Sequence, residues 1–167
     1  MKFILFAALL GLGVTAAPLD RRAAVFTAKK TYNQLSISGG RAGNAKAEAL
    51  AKLAGLPADL RSVDKADLSF LDSVNKIANK AETGAFNPAI AAAVPGAAKE
   101  ALDNGKTKNK VLKLTATVLK LQAQQAQGQN VAAKLAEEQK KLDNNIAKDV
   151  AAAGKPSTAL QFTASTK

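Results

Sequence analysis

The chain has 167 residues, with 24 Lys and Arg residues against 13 Asp and Glu residues, and its formal charge is +11. It contains no Cys and no His, which excludes disulfides, thiol nucleophiles, Ser-His-Asp relays and almost every zinc or copper site. At 47% apolar but only 4% aromatic residues, the composition provides one domain's core and favours helices packed closely on small side chains.

Residues 1–16 have the features of a secretory signal peptide in the expected order. Lys2 is the positive start, residues 3–14 form an apolar run, and small residues precede a predicted cut after Ala16. The run is shorter than the roughly 20 residues that span a bilayer, and no other stretch would anchor the chain. A buried N-terminal helix is the alternative. The sequence therefore predicts a secreted, extracellular protein, either associated with a cell wall or delivered to a host.

A dibasic pair, Arg21 and Arg22, directly precedes Ala23. A pair so close to a signal cut resembles the sites of the subtilisin-like Golgi convertase, whose acidic pocket favours paired Arg or Lys. We predict that residues 17–22 are a short propeptide that ends in this dibasic site. The mature chain would then begin at Ala23, with 21 basic and 12 acidic residues and a net charge of +9.

The first part of the mature chain predicts an irregular beginning followed by one helix. Residues 24–37 are expected to form a short helix or an extended arm. Three glycines in residues 38–44 predict a flexible loop, and the absence of a following Gly-Lys-Ser/Thr disfavours a phosphate-binding loop. Asn44 is expected to begin the next helix, over Ala45–Leu56, which ends before Pro57 because proline disfavours helix in the preceding residue.

The central part predicts a longer helix and then two short ones. Apolar residues recur every three, four or seven positions from Asp64, a candidate N-cap, to Glu82. Glycine and proline pairs are expected to break the chain after that helix. The predicted breaks are Thr83-Gly84, Pro95-Gly96 and Asn104-Gly105, with a restart at Asn87-Pro88 and a short helix over Ala97–Asp103.

The last third carries the strongest helical pattern. Lys108–Gln127 and Val131–Ala153 each have an apolar stripe, and residues 128–130 form a compact turn between them. Two helices of about 20 residues with so short a connection must fold back antiparallel. We predict an all-α fold over residues 23–154, a helical bundle of four to six helices with a C-terminal antiparallel helical hairpin. Residues 155–167, rich in Ser and Thr, are predicted to form a mobile tail.

The carboxylates give no sign of acid–base catalysis. Asp64 and Asp67 are close enough to meet on one helix face, but lysines are interleaved and no apolar pocket is indicated that would raise a pKa. Glu137 and Glu138 are adjacent and point apart. We therefore predict no catalytic residue, no metal site and no cofactor, and a protein that is not an enzyme.

Residues 104–136 contain six lysines and no acidic residue. Lys106, Lys110, Lys113 and Lys120 fall within about 80° of arc at 100° per residue, opposite an apolar face. These four are candidate contacts for an anionic membrane surface or an anionic polysaccharide. A solvated helix face is the alternative. Nucleic acid is disfavoured because Lys predominates over Arg and no stacking aromatics lie between the lysines.

Five segments carry a resemblance to a known family. They are TYNQLSIS (31–38), AGNA (42–45), AFNPAI (85–90), KNKVLKLTA (108–116) and EEQKKL (137–142). Over about residues 31–150 these segments are similar to the cysteine-free "small secreted proteins" of many filamentous fungi. That family is named for size and export and has no agreed activity and no catalytic residues. Its members are discussed as candidate effectors or surface proteins, so the resemblance implies a fungal, secreted protein, with a role in virulence if it is an effector.

The sequence supports two functional hypotheses. The first is a secreted, non-enzymatic interaction protein of a fungus that acts as an effector on a host or at the fungal surface, with an unknown protein as its partner. The second is a cationic protein that is membrane-active, antimicrobial or polyanion-binding. The lysine-lined segment over residues 106–121 distinguishes them, because only the second hypothesis gives it a direct role.

Overall fold

The computed structural model describes residues 23–167, which contain six α-helices, a short 3-10 helix (Leu60–Ser62) and no β-strand. The all-α bundle predicted from the sequence is therefore confirmed. The predicted signal cut after Ala16 and the dibasic pair Arg21-Arg22 lie outside the described residues. The helices are α1 (Tyr32–Leu35), α2 (Ala45–Lys52), α3 (Lys65–Ala81), α4 (Asn87–Ala92), α5 (Ala97–Ala126) and α6 (Ala132–Ala151).

Helices α3 and α5 form the centre of the bundle. Each contributes a stripe of buried apolar side chains, and small residues such as Ala78 and Ala116, both fully buried, let the two helices approach closely. Helices α2 and α6 pack against α5, and Leu142 of α6 joins the same core. The largest core side chains of α3 and α5 are Phe70, Leu71, Val74, Ile77, Val111, Leu112, Leu114 and Val118.

The predicted hairpin of α5 and α6 is present. The two helices are joined by a short turn in which Gly128 has φ +85°, a conformation that glycine adopts readily. The Asn104 side chain, near the beginning of α5, donates a hydrogen bond to the Pro156 carbonyl just beyond the end of α6, at 2.9 Å. The beginning of α5 therefore lies beside the end of α6, as an antiparallel arrangement requires.

The beginning of α3 was predicted correctly, but its end was not. The Asp64 side chain accepts a hydrogen bond from the Ala66 N–H at 2.7 Å and caps the helix. Thr83-Gly84 does not interrupt the helical backbone, because a π-helical turn over Glu82–Phe86 connects α3 directly to α4. Phe86 is fully buried, and a Cβ at Gly84 would lie 3.2 Å from the ring of Phe162. Gly84 thus leaves room for an aromatic ring.

The predicted break at Asn104-Gly105 is wrong, because α5 runs through it as one helix of 30 residues. Gly105 is buried inside this helix. A Cβ at this position would overlap the carbonyl oxygen of Thr158. The glycine therefore marks a place where another part of the backbone lies against α5, and the helix continues past it.

The C-terminal segment (residues 156–166), for which the sequence predicts a mobile tail, lies against the bundle in the structure. Its backbone groups pair with three separate parts of the fold, and the side chains of Ser157 and Thr166 are buried. This packing is achieved by backbone hydrogen bonds, which leave little trace in a sequence pattern. The bonds are Ser157 N–H to Gly40 O, Thr158 N–H to Ala101 O, Tyr32 N–H to Ala164 O and Thr166 N–H to Lys30 O, each 2.8 to 2.9 Å.

The glycine-rich loop over residues 38–44 is also tied to the bundle, although the sequence predicts a flexible loop. The Ala42 N–H donates to the Lys155 carbonyl, and the Gly154 N–H donates to the Ala42 carbonyl, both at 3.0 Å. Ser38 is fully buried. As predicted, Asn44 directly precedes α2, but its side chain makes no capping hydrogen bond.

Candidate functional site

Three of the four lysines predicted as anion contacts face helix α3 in the structure. Lys120 binds Asp72 at 2.7 Å, and Lys113 and Lys110 bind Glu82 at 2.6 and 3.3 Å. The lysine arc seen in the sequence is therefore one side of a polar contact between two helices. We call this contact the α3/α5 seam, and it consists of Asp72, Asn75, Asn79 and Glu82 together with Lys110, Lys113, Thr117 and Lys120.

The residues of the α3/α5 seam have the same spacing on both helices, in opposite chain directions. From Asp72, steps of three, four and three residues lead to Asn75, Asn79 and Glu82. The same steps in the opposite direction lead from Lys120 to their partners Thr117, Lys113 and Lys110. Such steps keep side chains on one helix face, so these polar residues of the two helices meet in a single row. The Asn75 amide completes the row with a 2.7 Å hydrogen bond to the Thr117 hydroxyl.

The carboxylates of the α3/α5 seam are held in their charged form. Burial acts to raise the pKa of the Glu82 carboxyl, but the hydrogen bond from Lys113 and the charges of Lys113 and Lys110 outweigh it and hold that pKa below its ordinary value. Hydrogen bonds from Lys120 and Lys76 likewise hold the pKa of Asp72 below its ordinary value. The lysines of the seam are therefore committed to internal ion pairs at neutral pH.

Lys106, the fourth predicted contact, differs from the other three. It is partly buried, and it forms no ion pair with an acidic residue of the described chain. The sequence thus placed four lysines on one face correctly, but the structure uses three of them in the contact with α3 and its π-helical turn.

Sequence reasoning missed the role of Lys108, which is fully buried. Its Nζ donates to the carbonyl oxygens of Gly39 and Arg41 at 2.8 and 3.0 Å and lies 2.9 Å from an Oε atom of Glu48. A signal for this was available, because at 100° per residue Lys108 falls on the apolar side of α5, beside Val111. A lysine in such a position needs buried partners, and the glycine-rich loop supplies them.

Most acidic side chains in residues 23–167 take part in ion pairs or hydrogen bonds within the fold. Of the 12, six form ion pairs and four others accept hydrogen bonds from backbone or side-chain N–H groups. Of the 21 basic residues, 13 form no ion pair with a described acidic residue, and most of these are exposed. We call these 13 residues the unpaired basic set: Lys29, Lys30, Arg41, Lys46, Lys52, Lys65, Lys80, Lys99, Lys106, Lys140, Lys148, Lys155 and Lys167.

The described residues contain neither a cluster of metal-binding side chains nor a membrane-spanning helix. Nowhere in residues 23–167 do three Asp or Glu side chains lie close enough together to hold a metal ion. Among the six helices described above, none has the length and apolarity needed to cross a membrane.

Comparison with known proteins identifies a family model that matches most of the described chain. Residues 26–161 match a family model described as a domain of unknown function (DUF8454). No curated protein and no solved structure matches the chain. The matched range includes all six helices and most of the C-terminal segment, so the family model covers nearly the whole described fold.

Proposed function

We propose, from the premise that the chain belongs to the DUF8454 family, that it is a secreted, non-enzymatic binding protein whose partner is an anionic macromolecule. In this proposal the protein is fungal and acts as an effector on a host or at the fungal surface. The signal-like residues 1–16 and the five segments that resemble fungal small secreted proteins support this setting. A protein partner would present an acidic surface, and a polysaccharide partner would carry carboxylate, sulfate or phosphate groups.

The proposal rests on one observation: most acidic side chains have partners within the fold, whereas many basic side chains have none. In residues 23–167, ten of 12 acidic side chains form ion pairs or accept hydrogen bonds within the fold, whereas only ten of 21 basic side chains form ion pairs or donate hydrogen bonds. Positive charges without local compensation create a field that attracts polyanions. Binding of such a partner releases its condensed counterions, which makes the interaction favourable and dependent on salt.

The proposal moves the binding surface away from the α3/α5 seam. To bind a polyanion, Lys110, Lys113 and Lys120 would first have to leave Glu82 and Asp72, which would then remain without a cationic partner in a partly buried place. Lys140 and Lys148 of α6 carry no such cost. Both are exposed, and they lie about two helical turns apart on neighbouring sides of α6.

A membrane-active function is the second hypothesis from the sequence, and the packing of α5 favours it less. A helix that lies on a bilayer inserts its apolar face into the lipid. The apolar face of α5 is occupied, because Val111, Leu114 and Val118 are at most 6% exposed in the core. Membrane insertion through this helix would require the bundle to open, whereas polyanion binding leaves the fold intact.

The proposal is tested by the salt needed to elute the secreted protein from heparin and from polygalacturonate resin. We expect retention above about 0.1 M salt, where interactions beyond a Debye length of about 10 Å are already screened. Elution below that concentration from both resins would overturn the proposal. Leakage of anionic vesicles is measured in parallel, and strong leakage without retention on either resin would support the membrane-active function instead.

A pair of matched variants shows whether the unpaired lysines carry the binding. The double variant Lys140→Gln/Lys148→Gln removes two lysines of the unpaired basic set from α6. The control Lys134→Gln/Lys141→Gln removes two lysines of the same helix that are ion-paired with Glu137 and Glu138. Both variants have the same net charge. The affinity for heparin is measured at several salt concentrations. We expect the first variant to reduce the slope of log affinity against log salt concentration by about one for each lysine lost, and the control variant to reduce it less. Equal effects would show that net charge alone decides retention.

A further inference from the structure

The first residues of the described chain are bound by a buried carboxylate of α3. Oδ1 of Asp67 accepts hydrogen bonds from the backbone N–H groups of Val25 and Phe26, both at 2.9 Å. Asp67 is only 1% exposed. A carboxylate buried this completely, with two neutral donors on one oxygen, has capacity for a further and stronger partner.

Side-chain packing also holds the N-terminal arm, residues 23–26, against the bundle. The ring of Phe26 stacks on the ring of Phe70, with centroids 4.3 Å apart and planes 16° from parallel. Val25 lies over Gly55, where a Cβ would come within 2.9 Å of a Val25 methyl group. Residues 25 and 26 are therefore placed by two independent contacts as well as by Asp67.

A small pocket lies between this arm and the bundle. It has a volume of about 160 Å³, and its lining includes Ala23, Ala24, Pro57, Ser62 and Asp67. Asp67 is the one ionisable side chain among its lining residues in the described chain. Exposed residue 23 and the buried carboxylate thus border the same pocket, and residue 23 is two residues before the first N–H group that Asp67 binds.

We propose that the Arg22–Ala23 peptide bond is hydrolysed by an endoprotease that recognises paired basic residues, and that the new α-ammonium group of Ala23 binds the Asp67 carboxylate. Water supplies the atoms for the cleavage: its hydroxyl forms the carboxyl group of Arg22, and its proton goes to the nitrogen of Ala23. That nitrogen takes a further proton from solvent at neutral pH and becomes the cation. Processing then replaces a neutral amide beside the pocket with a charge that fits the carboxylate inside it.

The consequence is that cleavage adds a further contact between α3 and the N-terminal arm, residues 23–26. Before cleavage, residue 23 continues into the preceding chain through an uncharged amide nitrogen. After cleavage, the ammonium group on the free chain end can form an ion pair with the carboxylate, in which the donor and the acceptor both carry a charge. The stability of the bundle should therefore depend on processing through Asp67 in particular.

The test uses the full-length chain, produced in a secreting host that has a dibasic-specific endoprotease. The N-terminus of the recovered protein is determined by mass spectrometry, and Arg21→Gln/Arg22→Gln provides the uncut form. Both forms are also prepared with Asp67→Asn, which retains an oxygen acceptor for the Val25 and Phe26 N–H groups. We expect Ala23 at the N-terminus, and a Tm about 3 °C higher for the cut form than for the uncut form when Asp67 is present. In the Asp67→Asn background we expect no difference.

Two results would overturn the inference. One is an N-terminus other than Ala23 in the secreted protein, and the other is a gain in Tm on cleavage that is equal with and without the Asp67→Asn substitution. A further measurement needs no variant: the rate of reductive methylation of the Ala23 α-amine in the folded and the urea-unfolded cut protein. We expect the folded protein to react at least about tenfold more slowly, which corresponds to about 1.4 kcal/mol of protection. Equal rates would contradict the contact with Asp67.

Discussion

The α-carbon of Gly105 lies so close to the carbonyl oxygen of Thr158 that a methyl group at position 105 would overlap it. Gly105 is inside α5, and Thr158 belongs to the C-terminal segment. The Thr158 N–H also donates to the Ala101 carbonyl, one turn earlier in α5, at 2.9 Å. The backbone of the C-terminal segment therefore lies directly on the backbone of α5, and this approach requires a residue without a side chain.

We predict that Gly105→Ala destabilises the protein. In an unobstructed helix this substitution would stabilise by about 0.5–1 kcal/mol, because glycine loses more backbone entropy on folding than alanine. Here the added methyl group must displace either the C-terminal segment or α5. We expect a net loss of about 2 kcal/mol in the free energy of unfolding, measured in urea by circular dichroism. Proteolysis near the C-terminus should also become faster.

Gly39→Ala is the control for this prediction. A Cβ at Gly39 would lie 3.4 Å from the Cβ of Ala159, an ordinary contact with the same C-terminal segment. We expect the free energy of unfolding to change by less than about 0.5 kcal/mol. If Gly105→Ala proved as harmless as Gly39→Ala, the close approach of Thr158 to α5 would be contradicted.

A second prediction concerns the buried lysine of α5. Lys108→Met keeps an unbranched side chain that is one atom shorter and removes the donor to the carbonyl oxygens of Gly39 and Arg41. It also leaves Glu48 without its cation. We expect a loss of about 3 kcal/mol in the free energy of unfolding, since the carbonyl groups of the glycine-rich loop become unsatisfied. Denaturation in urea measures this change.

Lys106→Met provides the comparison two residues away. Lys106 is partly buried in the same helix and belongs to the unpaired basic set, so its substitution should change the free energy of unfolding by less than about 0.5 kcal/mol. Similar losses for both variants would show that Lys108 contributes no more than a surface lysine.

Two glycines, Gly128 and Gly105, show why the positions of the helices were predicted better than the residues at which they end. Gly128 forms a turn with φ +85°, as its position between two apolar stripes indicates. Gly105 follows Asn104 and also looks like a turn glycine in the sequence, yet it lies inside a helix. The difference depends on Thr158, more than 50 residues away, which no local pattern identifies. By contrast, Asp64 acts on its own helix, and its capping role was predicted correctly.

The candidate site was predictable only on one of its two helices. The arc of lysines follows from the geometry of α5 alone, whereas the carboxylates that bind it lie on α3 and on the π-helical turn after it. Asp72 and Glu82 occur at helical spacing with Asn75 and Asn79, but pairing them with Lys120 and Lys110 requires the register of the two helices. The C-terminal segment escaped prediction because it is held largely by backbone hydrogen bonds.

A third prediction follows from the lowered pKa values of Asp72 and Glu82. A carboxyl group whose pKa is lower in the folded protein stabilises the fold above its unfolded pKa, and this stabilisation is lost as the pH falls through the folded pKa. The ordinary values are 3.8 for Asp and 4.5 for Glu. We therefore expect the free energy of unfolding to decrease on acidification below about pH 4.5. Urea denaturation at a series of pH values measures this decrease.

Glu82→Gln tests the assignment of that acid sensitivity. With the amide in place, the decrease on acidification should become smaller, because one of the two seam carboxyl groups no longer titrates. Glu100→Gln is the control, since Glu100 is exposed and forms no ion pair with a described residue. An unchanged pH profile for Glu82→Gln would show that the acid sensitivity arises elsewhere.

The fourth prediction concerns Asp149, a residue of α6 that caps α2. Its Oδ2 accepts a hydrogen bond from the Ala45 N–H at 2.8 Å, and the residue is 2% exposed. Because Asn44 makes no side-chain cap, Asp149 holds the N-terminus of α2 from another helix. Asp149→Ala should cost about 2 kcal/mol in the free energy of unfolding and speed the hydrogen exchange of the Ala45 amide.

Two further variants separate this cap from a general loss of charge on α6. Asp149→Asn retains an oxygen that can accept from the Ala45 N–H, so it should cost less than Asp149→Ala. Asp143→Ala removes an exposed carboxylate of the same helix, which accepts only from the Gln139 amide, and should cost less than about 0.5 kcal/mol. Because only the cap reaches Ala45, exchange at that amide should rise with Asp149→Ala and stay unchanged with Asp143→Ala. Equal exchange in both variants would contradict a cap that links α6 to α2.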